Sequence, residues 1–251
     1  MKVYALSDIH VDYKENKRWL FSLSNPEYRN DVLILAGDLT DDLELLEECF
    51  HFLAETFKQV LYVPGNHELW VKRNPGITSM EKVGLIGDLA AKCSISTEVF
   101  HIGSLSIVPL LSWYDFSFGE PNEKLTQNWV DFRACKWPAG MDELALTQHF
   151  LKQNTQLEIT NETVISFSHF MPRIDLMPSY IPEAFHYLHP VMGSELLEEQ
   201  IRQLKPQIHV YGHSHVNRQI TLDGIEYVNN AFGYPSETRI TRKELLCIYE
   251  G

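Results

Sequence analysis

The chain is poor in cysteine. Four residues, Cys49, Cys93, Cys135 and Cys247, are scattered through 251 positions and form no CxxC pair. Such sparse thiols argue against a disulfide scaffold and suit a reducing compartment. No apolar run approaches the ~20 residues that a membrane-spanning helix needs. The first residues, Lys2-Val3-Tyr4-Ala5-Leu6-Ser7, run into polar sequence without the apolar core of a signal peptide. No membrane partner is expected, and the expected location is cytoplasmic. Positive charge is also scarce. Lys and Arg number 21 against 34 Asp and Glu, a formal net charge of −13. With no basic stripe, nucleic acid is not an expected partner. Repeats and low-complexity tracts are absent.

What is present is ordinary globular material, 44% hydrophobic and 22% charged. A chain of this length buries a large core unaided. It suits a single α/β domain over 1–251. Short apolar, β-branched runs at 3–7, 32–36, 60–63, 164–167 and 208–211 read as buried strands. Between the second and third, Leu43, Leu46, Phe50, Leu53 and Phe57 recur at helical spacing, so 41–57 reads as a helix. Further helices are expected at 142–153 and at 194–204, the latter stopping before Pro206. Segments 220–222 and 225–228, joined by Asp223-Gly224, read as a hairpin. Alternating strands and helices imply parallel strands, whose carboxyl ends carry the ligand site.

Each of the five strand exits bears metal-capable side chains. The first gives Asp8 and His10, the second Gly37-Asp38, and the third Gly65-Asn66-His67-Glu68. The fourth gives His169, and the fifth gives His213-Ser214-His215. Singly, these are ordinary turns, caps or packed histidines. Five at once are not a coincidence of turns. Two divalent ions about 3.5–4 Å apart need a shared anionic ligand, and a carboxylate such as Asp38 supplies one. Neutral imidazoles and an amide oxygen add donors without accumulating negative charge. A mixed nitrogen and oxygen set suits Mn, Fe, Zn, Co or Ni better than Ca or Mg.

This series resembles the signature of the calcineurin-like metallophosphoesterase superfamily, in order and in spacing, from residue 8 to residue 215. The resemblance implies two mixed β-sheets in a sandwich flanked by helices. It implies one metal held by Asp8, His10 and His215, a second by Asn66, His169 and His213, and Asp38 as the bridge. His67 matches the histidine beside the leaving-group oxygen, and Glu68 would orient it or cap a helix. The implied activity is hydrolysis of a phosphomonoester or phosphodiester by a metal-bridging hydroxide. Two divalent transition-metal ions would be the cofactors, and Asp38 and His67 would take part in catalysis.

The stretch 111–140 breaks the strand–helix rhythm and is crowded with rings, among them Trp113, Tyr114, Trp129 and Trp137. It reads as an insertion over the metal edge, with at least one ring lining the pocket and the rest forming a satellite core. Trp113 and Tyr114 are candidate substrate contacts. Arg133 and Arg173 are candidate partners for a non-reacting phosphate or carboxylate. The expected substrate is a small phosphorylated molecule of nucleotide size or less. The competing reading is a non-catalytic scaffold of the same fold that binds protein partners. Such a scaffold has no use for a complete ligand set.

Overall fold

The computed structural model describes residues 1–23, 25–154 and 158–251. The runs expected as strands form β1 (Lys2–Leu6), β2 (Val32–Leu35) and β3 (Gln59–Tyr62). They are followed by β4 (Phe100–Ile102), β5 (Leu105–Pro109), β6 (Thr163–Phe167) and β7 (Ile208–Tyr211). The last are β8 (Arg218–Leu222), β9 (Ile225–Asn229) and β10 (Leu246–Glu250). Among the described residues the strands make two sheets, ordered β10-β1-β2-β3 and β4-β5-β6-β7-β9-β8. Strands β1 to β3 are mutually parallel, as are β5, β6, β7 and β9. Antiparallel β10, β4 and β8 close the edges, so both sheets are mixed.

The side-chain period of two explains the sandwich. Val32, Ile34 and Ala36 pack with Ile165, Phe167 and Val210 in a core between the sheets. Leu33 and Leu35 point the other way, into a second core with Leu46, Phe50 and Leu53. A strand buried on both faces must be apolar throughout. That is why the central strands read as unbroken hydrophobic runs.

The helices lie outside the sheets. They are α1 (Lys14–Leu20), α2 (Asn25–Tyr28), α3 (Leu43–Thr56) and α4 (Ser79–Lys92). Then come α5 (Glu123–Asn128), α6 (Asp131–Ala134), α7 (Glu143–Gln153) and α8 (Glu195–Leu204). Several starts are capped by a side chain. Asp42 accepts from the amides of Glu44 and Leu45, Asp142 from Ala145, and Ser194 from Leu196. Helix α8 ends on left-handed Lys205 before Pro206. The hairpin β8–β9 turns at Asp223 (φ 51°) and Gly224 (φ 86°), the double positive φ of a type I′ turn. Among the described residues no helix is long and apolar enough to cross a membrane.

The exits of β1, β2 and β3 meet those of β6 and β7 at one end of the sandwich, with little room. The Asp8 amide donates to Gly37 O at 2.9 Å, and the His10 amide to Asp38 O at 3.0 Å. Gly37 has φ +82°, and a Cβ there would lie 2.6 Å from Gly65 N and from His169 Nδ1. A Cβ on Gly65 would overlap Asp38 Oδ1. Glycine is required at 37 for both backbone angle and space. Gly37→Ala is therefore expected to cost at least ~2 kcal/mol. In a chain of this size that lowers the melting temperature by roughly 4–8 °C. An unchanged melting temperature by calorimetry would contradict the crowding.

Candidate metal centre

Ligating groups converge here because the backbone at the strand exits turns sharply. Asp8 (φ 53°), His10 (φ 47°), Asp38 (φ 59°), His213 (φ 67°) and His215 (φ 52°) all occupy the left-handed region. Asp and His tolerate it better than most residues, yet each such angle costs on the order of 1–3 kcal/mol. The turn lets side chains of two sheets face one another. Asp8, His10, Asp38 and Asn66 are all 2% exposed or less, and His169 is 1% exposed.

Two groups of ligand atoms result, each with its members within 4.8 Å of one another. One holds Asp8, His10, Asp38 and His215, the other Asp38, His169 and His213. Asp38 belongs to both. Its Oδ2 lies 3.6 Å from His169 Nε2, 3.8 Å from His67 Nε2 and 4.0 Å from His10 Nε2. A third group, Glu47, His51 and Cys93, lies away from the strand exits. There Lys92 Nζ already sits 2.5 Å from Glu47 Oε1, so a cation is supplied by the chain itself.

The outer hydrogen bonds fix which ring atom faces inward. His169 Nδ1 donates to Ala36 O at 2.9 Å, and His213 Nε2 donates to Val191 O at 3.0 Å. His215 Nδ1 donates to Glu237 Oε2 at 2.7 Å. Asn66 Nδ2 donates to Asp131 Oδ1 at 2.9 Å. These partners leave His169 Nε2, His213 Nδ1 and Asn66 Oδ1 as acceptors, and they face each other without a proton. His169 Nε2 lies 3.1 Å from Asn66 Oδ1 and 3.1 Å from His213 Nδ1. Converging lone pairs call for a cation. Two nitrogens ~2.1 Å from one ion, a right angle apart, are about 3 Å from each other. The observed spacings match, as does the 3.0 Å between His10 Nε2 and His215 Nε2. The donor set therefore fits divalent metal.

The same demand for positive charge shows in the titrating groups. Burial pushes His215 down, but Asp8 and Glu237 outweigh it and carry it up to about 10. Burial pushes the Asp8 carboxyl up, yet His215, His169 and His10 hold it below the usual carboxylate range. Asp38 is driven well up, by burial first and then by the charges of Glu68 and Asp8. An anion under that pressure is stabilised by a neighbouring cation.

Glu68 takes a different part from the one expected. It neither caps a helix nor orients His67. Its buried carboxylate accepts four backbone amides: Gly65 at 2.7 Å, Asp38 at 3.0 Å, Leu39 at 2.5 Å and Thr40 at 3.2 Å. It ties the turn after β2 to the turn after β3.

The centre forms the floor of a cavity of about 450 Å³. Trp129, Met177, Ile181, Phe185, Leu188 and Ile240 make much of its wall, and no Lys or Arg lines it among the described residues. Trp129 is thus the ring of the 111–140 stretch that reaches the pocket. The four candidate substrate contacts do not line it. Trp113 and Tyr114 are each 1% exposed. Both are locked in an aromatic cluster with Phe170, and Trp113 also meets Trp137. Arg133 donates to Gln127 O on the surface. Arg173 is taken by carboxylates, at 2.7 Å from Asp175 and 2.8 Å from Asp223. Sequence reasoning missed Asp131, Glu237, Trp70 and Tyr234. A carboxylate set between Trp129 and Phe132 was the one available signal, since an apolar setting holds an acid only where donors meet it. Glu237 and Tyr234 lie in an irregular segment with no pattern at all.

Comparison with known proteins agrees with this geometry. The family model described as calcineurin-like phosphoesterase matches residues 1–217. The [acyl-carrier-protein] phosphodiesterase PptH of Mycobacterium tuberculosis is 26% identical, over 94% of this chain and 79% of that protein. An uncharacterized protein of Acanthamoeba polyphaga mimivirus is 21% identical, over 92% and 91% of the two chains. The crystal structure of phosphopantetheinyl hydrolase from M. tuberculosis matches with a TM-score of 0.79 at 21% identity. That match covers 98% of this chain and 95% of the other, and at such identity it is a likeness of fold.

Removing the Glu68 carboxylate leaves buried amides without partners, at about 1–3 kcal/mol each. Glu68→Ala is expected to lose more than ~3 kcal/mol of stability by denaturant titration. A loss below ~1 kcal/mol would show that water replaces the carboxylate and that the two turns are not held by it.

Proposed function

The chain belongs to the calcineurin-like phosphoesterase family and is a metal-dependent phosphoric ester hydrolase, and from that premise we propose a two-metal phosphodiesterase. Its substrate would be a single phosphoryl group joined to a flexible, uncharged arm. The observation that carries the reading is Asp38, shared by two donor groups on the floor of an apolar cavity. Asp8, His10 and His215 would hold one ion, and Asn66, His169 and His213 the other, with Asp38 between them. Two such ions would supply an acidified water as nucleophile and neutralise charge on the phosphoryl oxygens. The mixed donors favour Mn, Fe, Zn, Co or Ni.

The protein's own part is placement. Water's oxygen would bond to phosphorus while the bond to the leaving oxygen breaks, and the departing alkoxide would take a proton. His67 would serve it; its side chain is 19% exposed and its ring lies against that of Trp70. Burial and the neighbouring imidazoles His215 and His169 push His67 down to about 3. Bound cations act in the same direction. At neutral pH a neutral His67 would offer the leaving oxygen an N–H hydrogen bond, and the alkoxide would take its proton from solvent.

The cavity wall refines the substrate. Its volume lies within the usual range for small-molecule sites. Without Lys or Arg in the wall among the described residues, a second phosphate would find no permanently charged partner there, which disfavours nucleotides of more than one phosphate. An uncharged arm suits the Met, Leu and Ile wall. The likeness to PptH supports phosphopantetheine, joined to a carrier protein, as such an arm. The strained ligand turns speak against a scaffold, which would retain five left-handed side chains for no gain.

The reading is tested by assaying chelated and Mn-reloaded protein on a phosphopantetheinylated carrier protein, with a dinucleotide as control. Release of the arm from the carrier by the reloaded protein alone is expected. Turnover confined to the dinucleotide would overturn the assignment. Asp38→Ala should lose both metals by elemental analysis, and normal content would refute the bridge. His67→Ala should keep both metals while losing about 10²–10⁴-fold in turnover, most on poor leaving groups. Lost metal there would refute its role.

A further inference from the structure

We propose that Asp131 is a positioning residue for this centre, setting Asn66 directly and His67 through Trp70. The proposal rests on the two-metal reading above. Asp131 is 1% exposed and opens α6, in the aromatic stretch 65 residues beyond Asn66. Its Oδ1 accepts from Asn66 Nδ2 at 2.9 Å and from Trp70 Nε1 at 2.7 Å. Its Oδ2 accepts from Trp129 Nε1 at 2.8 Å.

An amide has two ends of nearly equal shape and opposite chemistry. Turned one way, Asn66 offers an oxygen to a cation. Turned the other way, it offers an NH2 group that repels one. Both carboxyl oxygens already accept an indole N–H, from Trp70 and Trp129, so Asp131 presents an acceptor to Asn66 and admits a single orientation. Nδ2 points outward and Oδ1 points inward, 3.1 Å from His169 Nε2. Asp131 thus selects the ligating end of Asn66.

The same oxygen holds the indole of Trp70. That ring lies over His67, with centroids 3.7 Å apart and planes 30° from parallel. Among the described residues the His67 side chain makes no hydrogen bond, and Asp38 Oδ2 lies 3.8 Å from its Nε2. Ring contact with Trp70, and edge contact with His10 at 4.6 Å, decide where it points. A tethered indole keeps that surface fixed. The third donor, Trp129, belongs to the cavity wall. One carboxylate from the aromatic stretch thereby joins a proposed metal ligand, the side chain proposed to face the leaving oxygen and the arm subsite. An acid kept only to satisfy two half-buried indoles would have no need of the amide of Asn66.

The test uses the full chain. Asp131→Asn, confirmed as folded by its melting transition, is chelated and titrated with Mn by equilibrium dialysis. One of the two equivalents is expected to bind about 10–100-fold more weakly while the other is unchanged. Wild-type affinity at both sites would overturn the proposal. This arm needs no turnover, so it stands apart from any failure of the substrate assignment. If Asp131→Asn does not fold, Trp70→Phe decides. It keeps a ring over His67 but lacks the indole N–H. Both metals should remain, and the rate ratio of p-nitrophenyl to phenyl diesters should widen by about tenfold. A ratio equal to that of the wild type would overturn the proposal.

Discussion

The buried carboxylate of Glu68 holds the exits of β2 and β3 as one body. It accepts three amides from the turn at 38–40 and one from Gly65. In return, Asp38 Oδ1 accepts the amide of His67 at 3.0 Å. Neither turn can shift without breaking the other's hydrogen bonds. Burying an anion is costly, and four N–H dipoles aimed at it offset that cost. The arrangement gives Asp38, Asn66 and His67 a common rigid base, which metal positioning to a few tenths of an ångström requires.

On that base the chain accumulates unfavourable features that only a cation relieves. Five separate costs, the left-handed angles of Asp8, His10, Asp38, His213 and His215, fall in one place. Lone pairs of His169, His213 and Asn66 face one another at 3.1 Å. Asp38 and Asp8 lie buried close together. Each feature alone destabilises the fold, and their coincidence marks the site. The outer acceptors Ala36 O, Val191 O, Glu237 and Asp131 then decide which atom of each ligand turns inward.

The fold is shared across a family, while the substrate is decided by the wall above the metals. Here the wall comes from segments outside the central strands. Met177, Ile181 and Phe185 belong to the long connection after His169, and Trp129 to the aromatic stretch. Under the proposed function, their apolar surface and lack of Lys or Arg would turn the preference away from polyphosphates. The acidic net charge of −13 acts in the same sense for nucleic acid.

The sequence by itself determined the central strands and the residue types that gather at their exits. Strands such as Val32–Leu35 are buried on both faces, so every residue must be apolar, and the run is visible without any fold. Asp8, Asp38 and His213 follow their strands at once, so local order places them at an edge. Helix α4 was not assigned from sequence, since Gly84 and Gly87 weaken its pattern. Only the tertiary structure decided contacts between distant segments. Asp131 meets Asn66 across 65 residues, and Glu237 meets His215 across 22. Arg173 is captured by Asp223, 50 residues away, and so never reaches the pocket. Trp113 and Trp129 look alike in sequence, yet one is core and the other is wall. Local pattern fixes which residues are buried or reactive. Which of them meet depends on how the two sheets and their loops close on each other, and no short window of sequence contains that.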